Sequence, residues 1–522
     1  MGKYLNIRVL FLFRARALSC KSFQLTICSK IVLVSRLKRD FEDLDFHLFP
    51  AEIERFQLRI LSIGTAEYFI GSAIEKFLQV AIKKQQERWL RFEAAERSSQ
   101  KQEEAKPSTS WGPLDSVPVE LKADKPDIQP IICDHSNYRY DLCSLNRQTV
   151  LEPTTNTLFV SGSDNQNPKN QPTQEKIRPY PRKWEKSVMT RITELTVTSA
   201  SASTPAPACK FRHSAPALIF SAGGYTGNFF HDFNDGFIPL FVTSRSISSN
   251  QDIVLVVSHC DDWWINKYAE LLQQFSRHPI VNLDRATDTH CFPSATVGLI
   301  SQGFMTIEPS LLPHSETFLD FRAVIGDAYR DIPVYFRRPS IGRRPRLVLA
   351  ARNGGVGRVI LNQAEVVQVA EAVGFEVILF EPNLYSSLSQ AYGLINGSHA
   401  MLGVHGAALT HSLFLRPGSV LIQVVPIGID WLAETCFGKS SRDMGLEYVE
   451  YKIEQEESSL IERYGKDHLV LTDPKAVVKE DWFNIKKIYL QGQDVKLDLV
   501  RIQSYLQKAY EKAKRFMAKD DY

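Results

Sequence analysis

The chain has 522 residues, 44% of them hydrophobic and 23% charged, with a formal net charge of +3 and eight cysteines. That length exceeds what one hydrophobic core serves and asks for two or three domains of roughly 100–200 residues each. A charge this balanced gives no reason to expect a nucleic-acid partner, and no cysteine falls in a CxxC or zinc-ribbon spacing.

The first hundred residues hold two apolar runs, Val9–Phe13 and Ile31–Val34, separated by Arg14, Arg16, Lys21 and Lys30. Leu58–Ile82 is apolar at helical intervals but contains Glu67, Glu75 and Lys76. It reads as an amphipathic helix, because a charge near the centre of a membrane span costs about 2.5–3.5 kcal/mol. Gln85–Lys125 is polar and charged, a solvated helix running into a stem. Cys133 and Cys143 flank a short polar loop; they either close it as a disulfide or are two buried thiols. Ser161–Lys176 is expected to be an exposed loop and Thr198–Cys209 a small-residue connector.

Ordered alternation then begins. Pro216–Ser221, Asp252–Ser258 and Pro279–Leu283 read as buried strands, with a helix near Trp264–Phe275. After a basic linker at Arg330–Arg344 the pattern restarts. Strands are expected at Arg346–Ala351, Phe375–Phe380, Ala400–Val404 and Ser419–Val425. Helices are expected at Asn362–Val373, Ser386–Asn396 and Ala407–Phe414, and a last amphipathic helix at Asp494–Lys514 presents Val495, Leu499, Ile502 and Leu506 on one face. The fold class is α/β, two facing Rossmann-like domains with ligands at the C-terminal ends of the strands. The divisions are 1–105 (atypical N-terminal region and stem), 106–340 (first α/β domain), 341–490 (second α/β domain) and 491–522 (C-terminal helix).

Three constellations could carry chemistry. At Gly403–Thr410 a short strand turns through His405-Gly406 into small residues that open a helix, a geometry suited to a diphosphate. His405, Gly406, Ala407, Leu409 and Thr410 are the candidates there, and tight helix-on-sheet packing is the competing explanation. Arg352, Arg358 and Asn362 follow the first strand of the same domain, where a planar guanidinium could balance a diphosphate; solvated surface arginines are the alternative. Near them, RNGGVGR lacks the full GxGxxG spacing of a dinucleotide loop. Ser221–Gly236 carries His231 and Asp235, four apart on one helix face, with Asp232 turned away. This set offers a base for a sugar hydroxyl, or a locally satisfied polar cluster. Asp261-Asp262 reads as a helix cap rather than a metal pair.

RPYPRKWE (Arg178–Glu185), PALIFSAGGYTGNFFHDFNDGFIPLF (Pro216–Phe241), CFPSATVGL (Cys291–Leu299) and GVHGAALTHSLFLRPGSVLIQVVP (Gly403–Pro426) stand in fixed order. They are followed by EYVEY (Glu447–Tyr451) and ESSL (Glu457–Leu460). Together they resemble glycosyltransferase family 61, in its plant branch of xylan arabinosyl- and xylosyltransferases. The resemblance implies a GT-B arrangement with a C-terminal helix returning to the N-terminal domain. It implies inverting transfer of arabinofuranose or xylose from a UDP-sugar to xylan or a related glycan. No metal or other cofactor is expected. It further implies a type II Golgi membrane protein with a lumenal catalytic domain, a Cys133–Cys143 disulfide in that lumen, and association with other Golgi glycosyltransferases. The short cytosolic tail and single span of such a protein are not seen in the first 100 residues. His411 stands where the family has asparagine, and the arginine loop contains an inserted-looking GGVG. The rival readings are an inactive relative that binds glycan or a partner, and a transferase using N-acetylglucosamine or acting on N-glycans.

Overall fold

The computed structural model describes residues 129–161, 174–201, 204–247, 252–332, 344–352, 357–478, 482 and 485–520. The expectations for Val9–Val34, Leu58–Ile82 and Gln85–Lys125 lie outside the described residues.

Short strands open the ordered part: β1 (Ile131–Asp134), β2 (Leu142–Leu145), β3 (Thr149–Glu152), β4 (Thr157–Val160), β5 (Gln174–Ile177), β6 (Leu195–Ser199) and β7 (Phe211–Arg212). The expected strands then appear as β8 (Ala217–Ser221), β9 (Val254–Ser258) and β10 (Val281–Asn282), followed by β11 (His290–Phe292) and β12 (Ala295–Val297). One mixed sheet has the order β1-β2-β12-β8-β9-β10, and a second has the order β5-β6-β4-β3-β11-β7. The third sheet contains β13 (Arg346–Ala350), β14 (Glu376–Phe380), β15 (Ala400–Val404), β16 (Val420–Val425) and β17 (Glu447–Lys452). It is parallel throughout, in the order β14-β13-β15-β16-β17.

Burial on both faces explains why these strands are continuously apolar rather than alternating. Leu218, Phe220, Leu255 and Val257 of the first sheet join one cluster, while Ala217, Ile219, Val254 and Val256 join another with Leu151, Leu158, Val160 and Val197 of the second sheet. The third sheet divides likewise. Val348, Ala350 and Met401 enter the cluster that already holds Leu218 and Phe220, and Leu347, Leu349, Leu402 and Val404 pack the opposite side. One apolar core is therefore continuous between the first and third sheets.

Several expectations are corrected. The closing helix spans Leu499–Asp520 and starts later than expected, because Val495 bridges to Ile360 and Ser458 as extended chain. It does not return to the N-terminal half. Its Ile502, Leu506, Ala509 and Ala513 share a core with Val366 and Ala370 of the helix Gln363–Val373 and with β15 to β17, where its apolar stripe finds a matching surface. Ala407–Phe414 is a tight 3₁₀ helix, the region expected helical at Trp264–Phe275 breaks at Tyr268, and the end of the Ser161–Lys176 tract pairs with β6 as β5. Among the described residues no helix is long and apolar enough to cross a membrane.

Cys133 and Cys143 face each other in the β1–β2 pair and form the expected disulfide. A second disulfide joins Cys209 to Cys291 across 82 residues. The pairing of β7 with β11, reinforced by Thr289 Oγ1 between Lys210 N and Ala208 O, brings those two together, and nothing local in the sequence announces it.

Candidate active site

The chain leaves β8 through Ala222-Gly223-Gly224. Gly224 has φ +68°, and a Cβ there would lie 2.5 Å from the Tyr180 ring, so only glycine fits. The Asn228 side chain caps the next turn by accepting from Phe230 N at 3.1 Å. Phe229–His231 continues into a π-helix at Asp232–Phe237, a rare geometry common at functional sites. His231 and Asp235 meet as their spacing predicts, with Nδ1 2.8 Å from Oδ2.

Asp235 is 1% exposed and saturated with donors. Its Oδ2 also accepts from Arg182 Nε at 2.8 Å and Tyr180 OH at 3.0 Å, and its Oδ1 accepts from Asn234 Nδ2 at 2.6 Å. Burial alone would raise this carboxyl, but Arg182 and His231 outweigh it and hold the pKa down at about 2. The carboxylate is therefore ionised at neutral pH and fixes the imidazole. Arg182 Nη2 stands farther from Nδ1, at 3.3 Å, so the closer carboxylate identifies Nδ1 as the protonated nitrogen and leaves Nε2 to take a proton. Asp232 faces elsewhere. Tyr268 OH donates to it at 2.6 Å and Gly227 N at 3.2 Å, and burial pushes its pKa up to about 6 against those bonds.

The second cluster forms in the third sheet. Counting only its own strands, the order is 2-1-3-4-5, with the topological switch point between β13 and β15. Arg352 follows β13 and His405 follows β15, so both stand at that crevice. Gly406 has φ +150°, and a Cβ there would collide with Arg352 Nη1 and lie 3.1 Å from Arg358 Nη1. Arg358 itself is held at φ +60° and donates from Nη1 to His405 O at 3.1 Å. The buried Nε atoms of Arg352 and Arg358 have no hydrogen-bond partner among the described residues. Burial, with Arg352 alongside, lowers the Arg358 pKa to about 9. Two guanidinium groups pressed together, with no carboxylate in ion-pair contact among the described residues and only the more distant charge of Asp494 acting on Arg352, make a cationic site short of an anion.

His405 is buried between this pair and a polar chain. Gln423 Nε2 lies 2.8 Å from His405 Nδ1, and Tyr448 OH donates to Gln423 Oε1 at 2.8 Å. The amide thus donates to Nδ1, which puts the imidazole proton on Nε2. Burial first, then Arg358 and Arg352, drives the His405 pKa well below its ordinary value, so the ring is neutral. Phe437, in a second π-helix at Glu434–Gly438, connects the clusters: its ring lies 5.7 Å from Phe230 and 5.4 Å from His405.

The family profile described as Glycosyltransferase 61 matches residues 226–422. The xylan glycosyltransferase MUCI21 of Arabidopsis thaliana is 38% identical over 402 residues, covering 74% of this chain and 80% of that protein. The chain belongs to glycosyltransferase family 61. Two further relatives come from Oryza sativa subsp. japonica. The beta-1,2-xylosyltransferase XYXT1 is 36% identical, over 72% of this chain and 83% of its own. The alpha-1,3-arabinosyltransferase XAT3 is also 36% identical, over 73% and 65% respectively. The protein is accordingly a glycosyltransferase, an enzyme that takes a nucleotide-sugar donor and a glycan acceptor.

Of the residues singled out for this transferase from sequence, His231 and Asp235 meet in one cluster and Arg352, Arg358, His405 and Gly406 in the other. Ala407 opens the 3₁₀ helix, Leu409 packs in the shared core, and Thr410 is fully buried with Oγ1 lacking a partner among the described residues. Asn362 is committed elsewhere: its side chain donates to Leu497 O at 2.8 Å and accepts from Leu497 N at 3.0 Å, clasping the C-terminal segment. His411 stacks on Phe229 at 4.0 Å and is kept neutral, burial lowering its pKa to about 3. Sequence reasoning missed Tyr180, Arg182, Gln423 and Tyr448. Gln423 alone left a local signal, as the one polar residue in the strand VLIQVV.

Proposed function

We propose that the chain transfers a pentose, arabinofuranose or xylose, from a UDP-sugar to xylan with inversion at the anomeric carbon. The observation that carries this reading is the Arg352–Arg358 couple at the switch point beside Gly406, its buried Nε atoms without partners among the described residues, where a diphosphate would supply the missing charge. The choice of pentose and of xylan rests on the names of the relatives. A GT-B arrangement is proposed with it: residues 106–340 hold the acceptor, 341–490 the donor, and 491–522 close onto the donor side. In the same reading the enzyme is a type II protein of the Golgi membrane with a lumenal catalytic domain, working alongside other Golgi glycosyltransferases.

In the proposed reaction, Nε2 of His231 takes the proton of the acceptor hydroxyl while Asp235 stabilises the imidazolium. The hydroxyl oxygen forms a bond to the anomeric carbon from the face opposite the diphosphate. The bond from that carbon to the diphosphate oxygen breaks, and UDP departs with the electron pair. Arg352, Arg358 and the Nε2–H of His405 meet the charge that develops there. UDP release from a panel of UDP-pentoses and UDP-N-acetylglucosamine, with xylo-oligosaccharide acceptors, tests the reading. Proton NMR of the first product reports the anomeric configuration. Transfer only from UDP-N-acetylglucosamine, or a retained configuration, overturns it.

A further inference from the structure

Aromatic rings from three separate chain segments converge beside His231. Tyr138 lies in the loop closed by Cys133–Cys143, Trp184 in the segment of Arg182, and Phe304 after β12. Ring centroids are 6.2 Å apart for Tyr138–Trp184 and 6.0 Å for Trp184–Phe304. The Arg139 guanidinium lies over all three, 4.7, 5.5 and 5.4 Å from their centroids. Arg182 continues the series toward the base. It sits 5.3 Å from the Trp184 centroid and 5.1 Å from that of Tyr225, and Tyr225 stacks on His231 at 4.4 Å.

The segments are tied in place. Lys183 donates from its backbone N to Arg139 O at 3.0 Å and pairs through Nζ with Asp141 at 2.7 Å. Met305 N donates to Asn234 Oδ1 at 2.7 Å, which fastens the Phe304 segment to the turn that carries Asp235. Core burial does not account for these ties, because Tyr138 remains 55% exposed. Arg139 has no carboxylate partner among the described residues, although neighbouring Arg182 is paired with both Asp235 and Glu185. A row of held, solvent-reaching rings with unneutralised N–H donors suits a neutral polyol whose ring presents C–H bonds on its faces and hydroxyls at its edge.

We propose that Tyr138, Trp184, Phe304 and Arg139 form an acceptor subsite. It holds pyranose units of the glycan next to the unit placed at His231, the rings stacking and Arg139 donating to hydroxyls. This rests on the transferase reading above and adds where the rest of the acceptor chain lies. The Cys133–Cys143 disulfide then serves the site by fixing the loop that carries Tyr138.

The test is the dependence of acceptor KM on xylo-oligosaccharide length at a fixed UDP-pentose concentration. With the wild-type enzyme KM falls as the acceptor lengthens. Tyr138→Ala raises KM for the longest acceptor by about 3- to 10-fold, flattening the dependence, and leaves the KM for the donor at its wild-type value. Phe304→Leu acts in the same direction. Tyr385→Ala, at an aromatic residue 82% exposed elsewhere, keeps the wild-type dependence. Equal effects of Tyr138→Ala on short and long acceptors, or none, overturn the subsite. If no donor supports transfer, the transferase reading fails first, and calorimetric titration with xylohexaose decides the subsite: binding weakened by Tyr138→Ala supports it, and unchanged or absent binding refutes it.

Discussion

His405 receives a hydrogen bond on Nδ1 from Gln423 Nε2 at 2.8 Å, and Gln423 is a fully buried amide in an otherwise apolar strand. A buried amide is costly unless both its ends are bonded, and here the other end accepts from Tyr448 OH. The arrangement selects one tautomer. We expect nitrogen NMR of the imidazole to show the proton on Nε2. Gln423→Leu, similar in volume but without the donor, should weaken UDP binding about tenfold, and Tyr448→Phe should do so more mildly. A proton found on Nδ1, or full UDP affinity in Gln423→Leu, would remove the tautomer argument.

The arginine couple predicts opposite responses in the free and bound enzyme. Arg358 is half-buried beside Arg352 with its pKa lowered to about 9, so the free protein carries a repulsion that a diphosphate relieves. Arg358→Ala should weaken UDP binding by about 10- to 100-fold, the range of a hydrogen bond to a charged group. Melting of the free variant should stay near or above that of the wild type, while UDP-induced stabilisation is largely lost. Calorimetry that finds unchanged UDP affinity would sink the assignment.

What was legible in the sequence follows from locality. β8, β9, β13, β15 and β16 announced themselves because strands buried on both faces are continuous apolar runs. The His231–Asp235 pair was legible because four residues span one helical turn, and the π-helix that follows did not break it. Arg182 and Tyr180 were not, since they reach Asp235 across 53 and 55 positions. Asn362 misled for the same reason: its partner Leu497 lies 135 residues away, so a buried clasp looked like a ligand contact. The closing helix was assigned from its stripe alone, which shows that a partner exists but not which sheet supplies it.

The base assignment yields an order among three variants. His231→Ala should lower kcat by about 10²–10⁴-fold with UDP affinity near normal, because the imidazole belongs to the acceptor chemistry. Asp235→Asn should also lower kcat. It should in addition destabilise the fold, by less than the about 3–5 kcal/mol of a fully broken buried pair, because Arg182 loses the carboxylate it shares with His231 but keeps Glu185. Asp232→Asn should be mildest in rate, since its carboxylate bonds Tyr268 and Gly227 and not the imidazole. A series in which Asp232→Asn alone abolishes transfer would make Asp232 the base.

The two carboxylates should also leave opposite marks on stability against pH. Asp235 is held at about 2, below its ordinary value of 3.8, so its contribution is present above about pH 4 and is lost as pH falls toward 2. Asp232 is raised from 3.8 to about 6, so the fold binds its proton more tightly than the unfolded chain does. Its contribution is full below about pH 4 and is lost as pH rises toward 6, about 3 kcal/mol in order of magnitude for two pKa units. Above pH 6 the protein therefore carries a buried carboxylate hydrogen-bonded by Tyr268 OH and Gly227 N, with Lys267 and His231 nearby. Asparagine at 232 keeps the shape without the charge, and Tyr268 can turn its hydroxyl to accept from the amide. Urea unfolding of Asp232→Asn and wild type at pH 4, 5, 6 and 7 should show the variant gaining relative to wild type as pH rises, with the change confined between about pH 4 and 6. A stability difference independent of pH across that range would mean that Asp232 is ionised in the fold with an ordinary pKa, and that burial does not govern it.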